Sequence, residues 1–159
     1  MIVQCIRLIL ALVLLSVCSY TDIQYRKVKN YVTFPVFFIG TFICILTPEK
    51  DLLPVAIGFV LYAAFGYLHL MAMGDSKFLI ALTAIYGLKF SFFSMLIGVA
   101  ANFLYALFTD VDAVILAIKN VKNFVLYHTP VPTKDKTRYP FTVFISIGTV
   151  ILLVLRAVT

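Results

Sequence analysis

Residues 52–89 read LLPVAIGFVLYAAFGYLHLMAMGDSKFLIALTAIYGLK. From Leu52 to Met73 this stretch contains no Asp, Glu, Lys or Arg, so it reaches the ~20 apolar residues that a helix needs to cross a ~30 Å hydrocarbon layer. Gly74, Asp75 and Lys77 interrupt the run, and a shorter apolar segment over 76–89 follows at once. Two apolar segments with a carboxylate at their junction predict membrane helices rather than the core of a soluble domain.

The rest of the chain repeats the pattern. The 159 residues are 63% hydrophobic and 13% charged, with a mean hydropathy of +1.07, which is more apolar material than a soluble core of this length can bury. Apolar runs broken by charge predict spans at 3–21, 31–47, 52–73, 76–89, 90–109 and 141–157. The expectation is one all-α integral membrane domain over 1–159, with about six transmembrane helices. Segment 76–89 is the short one: at ~1.5 Å per residue it reaches only about 21 Å, so it either crosses a thinned bilayer or is re-entrant.

Charge discriminates between these two. With six crossings, one side holds Arg26, Lys27, Lys29, Lys77, Lys119, Lys122, Lys134, Lys136 and Arg138, nine of the thirteen basic residues. Arg7, Lys50, Lys89 and Arg156 make up the other four. This bias follows the positive-inside rule, whereas a re-entrant 76–89 moves the five basic residues of 119–138 outside. The expectation is six crossings, both termini outside, and the loops at 22–30, 74–77 and 110–140 in the cytoplasm.

Grouped between apolar segments, the basic residues behind the net charge of +6 read as topology signals and not as a nucleic-acid stripe. In 110–140, Val111, Val114, Ile115, Ile118, Val121 and Val125 recur at helical spacing, with Lys119, Lys122 and Asn123 elsewhere on the helix. This pattern predicts an amphipathic helix between the fifth and sixth spans, either lying on anionic lipid headgroups or simply solvated. Pro130, Pro132 and Pro140 make the remainder an irregular tether. The first segment, Arg7 followed by LILALVLLSVCSY, shares features with a cleaved signal peptide. Val17 before Cys18 is a poor fit to a lipoprotein cleavage site, so it is kept as the first span.

Cys5, Cys18 and Cys44 lie in apolar segments and form no CxxC, His69 and His128 are far apart, and no Ser-His-Asp or Cys-His arrangement stands out. Neither metal nor cofactor enters the reading. Of the seven carboxylates, Asp22, Glu49, Asp51, Asp75, Asp110, Asp112 and Asp135, most fall in loops. Asp22 and Asp75 each adjoin a span, on the same side of the six-crossing arrangement. Singly, each has a structural reading: Asp75 as N-cap of 76–89, Asp22 capping a turn or pairing with Arg26.

The surrounding residues tip the balance. Thr21-Asp22-Ile23-Gln24-Tyr25-Arg26-Lys27-Val28-Lys29-Asn30 resembles the first motif of the type IV prepilin peptidases, and Met73-Gly74-Asp75-Ser76-Lys77-Phe78-Leu79 resembles their GxGD motif. Arg138-Tyr139-Pro140-Phe141 with Ile147-Gly148 is similar to the family's final segment. Ala72 stands where GxGD has its first Gly, and Lys29 where the first motif commonly has Pro. Loss of that Gly restricts the backbone beside Asp75 if a positive φ is needed there.

The resemblance implies an intramembrane aspartyl protease with Asp22 and Asp75 as the catalytic pair. Gly74, Lys77, Arg26 and Asn30 support it, though helix-breaking accounts equally for Gly74, interfacial snorkelling or topology for Lys77, and capping or topology for Arg26 and Asn30. Its partners are type IV pilin-like precursors and membrane lipids, its place the inner (cytoplasmic) membrane, and its active face cytoplasmic. Larger relatives carry a segment with paired CxxC motifs between the first two spans, where this chain has only about nine residues. The chemistry is self-consistent: one ionised carboxylate activates water while its protonated neighbour hydrogen-bonds the scissile carbonyl, and two close carboxylates in a poorly hydrated site hold a single proton. The competing reading is a non-enzymatic transporter or secretion-apparatus subunit using the aspartates for ion contacts or packing.

Overall fold

The structure, a computed structural model, describes residues 2–25, 27–47, 52–68, 71–109, 115 and 141–158. Six helices make up nearly all of this: α1 (Ile2–Tyr25), α2 (Asn30–Leu46), α3 (Leu53–Tyr67), α4 (Met73–Tyr86), α5 (Leu88–Thr109) and α6 (Phe141–Val158). Of these, α1 and α5 are long and apolar enough to cross a membrane by themselves, while α2, α3 and α6 are shorter apolar helices. The amphipathic helix expected within 110–140 falls, apart from residue 115, outside the described residues, as do Arg26, His69 and His128.

At the centre stands α4, in contact with all five other helices. Phe78, Leu79, Ala81, Leu82, Thr83, Ala84 and Ile85 are all fully buried. This packing explains how a helix of 14 residues belongs to a bundle with 24-residue α1: its apolar side chains are covered by protein, so its length need not match a bilayer. Small residues let the neighbours close in. A Cβ at Gly40 of α2 would sit 3.0 Å from Ala84, and one at Gly58 of α3 would sit 2.5 Å from the Thr83 side chain. The outer faces are apolar too, with Phe38, Val60, Phe93 and Phe108 all exposed, which marks this surface for a partner or for lipid.

Successive helices run up and down. Arg7 on α1 donates to Thr47 Oγ1 just past the end of α2 at 3.1 Å, and Arg156 near the end of α6 lies over the ring of Tyr86, at the end of α4, 5.9 Å from its centroid. These contacts mark one end of the bundle. Lys77 on α4 donates to Asn30 at the start of α2 at 2.9 Å, and this marks the other. Between α4 and α5 the chain turns at Gly87, whose φ of +91° is a conformation that residues with a Cβ rarely adopt. Buried hydroxyls pair across the helices, as apolar packing requires of them: Tyr62 Oη with Ser91 Oγ at 3.1 Å, Thr83 Oγ1 with Ser91 Oγ at 2.7 Å.

The helix boundaries differ from expectation at the junctions that matter. The third span was expected over 52–73, but α3 ends at Tyr67 and the chain re-enters a helix at Met73. The first helix was expected to stop at 21, but α1 runs through Asp22 to Tyr25. Asp75 is not the N-cap of α4: Ala72 holds that position, and Asp75 lies within the first turn.

Candidate active site

One carboxylate comes from the last turn of α1 and the other from the first turn of α4. These placements are electrostatically unlike. A negative charge is favoured at a helix N-terminus, where Asp75 sits, and disfavoured at a C-terminus, where Asp22 sits. Asp22 obtains its compensation from a different helix: the backbone N–H of Thr142, in the first turn of α6, donates to Asp22 Oδ2 at 3.2 Å. The hydroxyl of the same threonine donates to Asp75 Oδ1 at 2.5 Å. Both aspartates are buried, at 9% and 6% exposure, and both converge on one residue of a third helix.

Chain geometry accounts for the convergence. α6 packs on α5 at two glycines: a Cβ at Gly98 would fall 2.8 Å from Ile145 Cα, and one at Gly148 would fall 2.7 Å from the Ser94 carbonyl oxygen. Ser94 Oγ donates to the Ile145 carbonyl at 3.1 Å and pairs with Thr149 Oγ1 at 2.5 Å. α6 is fixed against α1 by Ser19 Oγ, which donates to Ser146 Oγ at 2.8 Å. Ser146 stands one helical turn beyond Thr142, and Ser19 nearly one turn before Asp22, so this contact sets the register between them.

A cleft of about 590 Å³ opens at the pair, lined by Asp22, Asp75, Gly74, Asn30 and Lys77 among others. Lys27 and Lys29 add two more cations to its wall. Gly74 meets the connection between α1 and α2 closely, since a Cβ there would lie 3.2 Å from Val28 Cγ2. Lys77 and Asn30, joined by their hydrogen bond, tie α4 to the start of α2. Ala72, where a Gly was expected, has φ −65° and ψ 142°, extended backbone that any residue adopts, so the substitution costs no strain here. Lys29 is likewise extended, with φ −84° and ψ 136°.

Beside the cleft lies a second, apolar groove of about 630 Å³ between α2, α3 and α4. Phe34, Phe38, Phe59 and Tyr67 form its walls, and it shares Met73 and Lys77 with the cleft. Among the described residues no group of three or more His, Cys, Asp or Glu side chains assembles that could hold a metal ion. Of the residues singled out from sequence, Asp22, Asp75, Gly74, Lys77 and Asn30 lie together at this cleft, and Arg26 falls outside the described residues. Sequence reasoning missed Thr142. Its only signal was a hydroxyl at the start of an apolar run just after Pro140.

Neither the curated proteins nor the solved structures yield a match to this chain. The profile of the type IV leader peptidase family matches residues 9–109, more than half of the 159 residues and an interval holding both aspartates, and the chain belongs to that family.

Proposed function

We propose that this protein is an intramembrane aspartyl endopeptidase that removes the short basic leader of type IV pilin-like precursors at the cytoplasmic face of the inner membrane. Membership of a leader peptidase family carries the coarser part, a hydrolase that processes precursor proteins. The observation that supports the finer part is the meeting of two buried carboxylates from separate helices on one threonine, at the mouth of a cleft.

In this reading the pair shares one proton. The ionised carboxylate takes a proton from water as it attacks the scissile carbonyl, while the protonated one donates to the carbonyl oxygen. The tetrahedral intermediate collapses when a proton reaches the leaving amine, and no acyl-enzyme forms. Asp22 and Asp75 are the catalytic residues. Gly74 admits close approach, and the Lys77–Asn30 bond holds the cleft wall. Arg26 is proposed as a support on sequence grounds alone.

Six crossings are supported by the alternating helix directions together with the nine-to-four division of basic residues. The cleft then opens on the positive, cytoplasmic side. Among the described residues, Lys27, Lys29 and Lys77 give it three cations against a pair that carries one negative charge, so the charge of this lining does not draw in a basic leader. Recognition rests instead on the apolar part of the precursor. The phenylalanine-lined groove is its seat, because it is continuous with the cleft through Met73 and Lys77. The transporter reading gains no support from the family match.

The test is incubation of the purified full-length protein, in lipid nanodiscs, with pilin-like precursors. A shorter product, cut at the junction between basic leader and apolar stem, is expected. Intact precursors after prolonged incubation with folded protein, across several such substrates, would reject the assignment.

A further inference from the structure

The family match ends at residue 109, yet the group that touches both aspartates stands beyond it, on α6. Thr142 is fully buried. A valine would fill the same volume without a polar group to satisfy, so a hydroxyl here requires an explanation in its partner. That partner is Asp75, at 2.5 Å, while the main-chain N–H of the same residue reaches Asp22 at 3.2 Å. Thr142 is held in turn: its carbonyl accepts from Ser146 Oγ at 2.8 Å, and Ser146 Oγ accepts from Ser19 Oγ on α1 at 2.8 Å.

We infer that Thr142 is a positioning residue of the peptidase, which sets the spacing and orientation of Asp22 and Asp75 by donating one hydrogen bond to each. It thereby fixes which oxygen of each carboxylate meets the shared proton and the attacking water. The inference rests on the proposed catalytic role of the two aspartates. A second consequence is that α6 completes the site, so the interval matched by the family is not sufficient for it.

Among the described residues, the titratable groups around the pair are Cys18 on α1, Lys27 and Lys29 in the following connection, Tyr31 on α2 and Lys77 on α4. The described part of α6 carries only Arg156, at the far end of the bundle. Removing the Thr142 hydroxyl leaves all of these in place, and leaves the N–H to Asp22 as well.

The experiment compares Thr142→Val, Thr142→Ala and Thr142→Ser in the full chain, with a pilin-like precursor in nanodiscs, following kcat, KM and the pH profile. Loss of a hydrogen bond to a charged group lowers kcat about ten- to a hundred-fold in the Val and Ala variants, with KM little changed. The pH profile of these variants departs from the parent's, since the pair that sets it has lost a hydrogen-bond donor. Thr142→Ser keeps the hydroxyl and retains the parent's pH profile and most of its kcat. Thr142→Ala replaces Thr142→Val as the reporter if the added methyl unfolds α6. Unchanged kcat and pH profile in a folded Val or Ala variant, or a Ser variant as impaired as these, would overturn the inference. Asp22→Asn and Asp75→Asn are run alongside: if they too stay active, the catalytic reading itself fails, and if they alone are inactive, only the role of Thr142 does.

Discussion

Replacing Asp75 or Asp22 by Asn tests the proposed chemistry with little disturbance of the fold. Both positions are buried and both accept a hydrogen bond from Thr142. Asn nearly matches Asp in size and still offers an oxygen to that donor. What is lost in folding is the difference between a charge-assisted and a neutral hydrogen bond, about 1 kcal/mol. What is lost in catalysis is larger, because an amide can neither take a proton from water nor share one with its neighbour. A general acid or base contributes about 10²–10⁴ in rate, so each variant should fall to near background. If the two acted independently, their losses would multiply. If they act as one unit, as joint anchoring on Thr142 suggests, the double variant costs little more than either single one. Cleavage of a precursor by purified variants, with thermal unfolding as the control for folding, measures all three. The wild-type pH profile should be bell-shaped, its limbs belonging to the pair, and Glu49→Gln and Asp51→Asn should cleave normally. Substantial cleavage by a well-folded Asp75→Asn variant would refute the two-aspartate mechanism.

Two further outcomes follow from the helix arrangement. A Thr133→Cys variant in a background lacking Cys5, Cys18 and Cys44 should resist an impermeant external thiol reagent in intact cells, while Lys50→Cys reacts; labelling at 133 would sink the six-crossing topology. Gly98→Leu should lower the thermal stability by about 1–3 kcal/mol through overpacking, because a Cβ at that position already falls 2.8 Å from Ile145 Cα, and cleavage should drop with it as α6 moves Thr142 off the pair; a variant as stable and active as the parent would contradict this packing.

The two aspartates were legible in the sequence because their signals are local: each sits at the edge of an apolar run, within a short motif. Thr142 was not, since nothing near it in sequence announces a partner 120 residues away. Its contact exists only because Gly98 and Gly148 let α6 close on α5 and Ser19 joins Ser146. The end of α3 was misplaced for a related reason. Residues 68–73 are as apolar as the helix before them, and hydropathy cannot register that the chain must break there to bring Asp75 beside Asp22. The same limit hid the position of Asp75 inside α4, because Ala72 as N-cap makes no side-chain bond and so leaves no recognisable capping residue.

That protein rather than lipid covers α4, the short helix at the centre, has a measurable consequence. Leu79 and Leu82 are fully buried, whereas Phe38 and Val60 on neighbouring helices are 64% and 66% exposed. If protein packing holds α4, truncating its leucines leaves cavities among the surrounding helices, and Leu79→Ala or Leu82→Ala should each cost about 2–5 kcal/mol. The exposed residues exchange one apolar contact for another, so Phe38→Ala and Val60→Ala should each stay within about 0.5 kcal/mol of the parent. Equilibrium unfolding in detergent distinguishes the two sets. Because α4 carries Asp75, the leucine variants should also lose cleavage in proportion to the population that unfolds, while the Val60 variant keeps it. Equal destabilisation by both sets would mean that the outer faces are packed as tightly as α4, and that the bundle has partners covering its apolar surface rather than lipid.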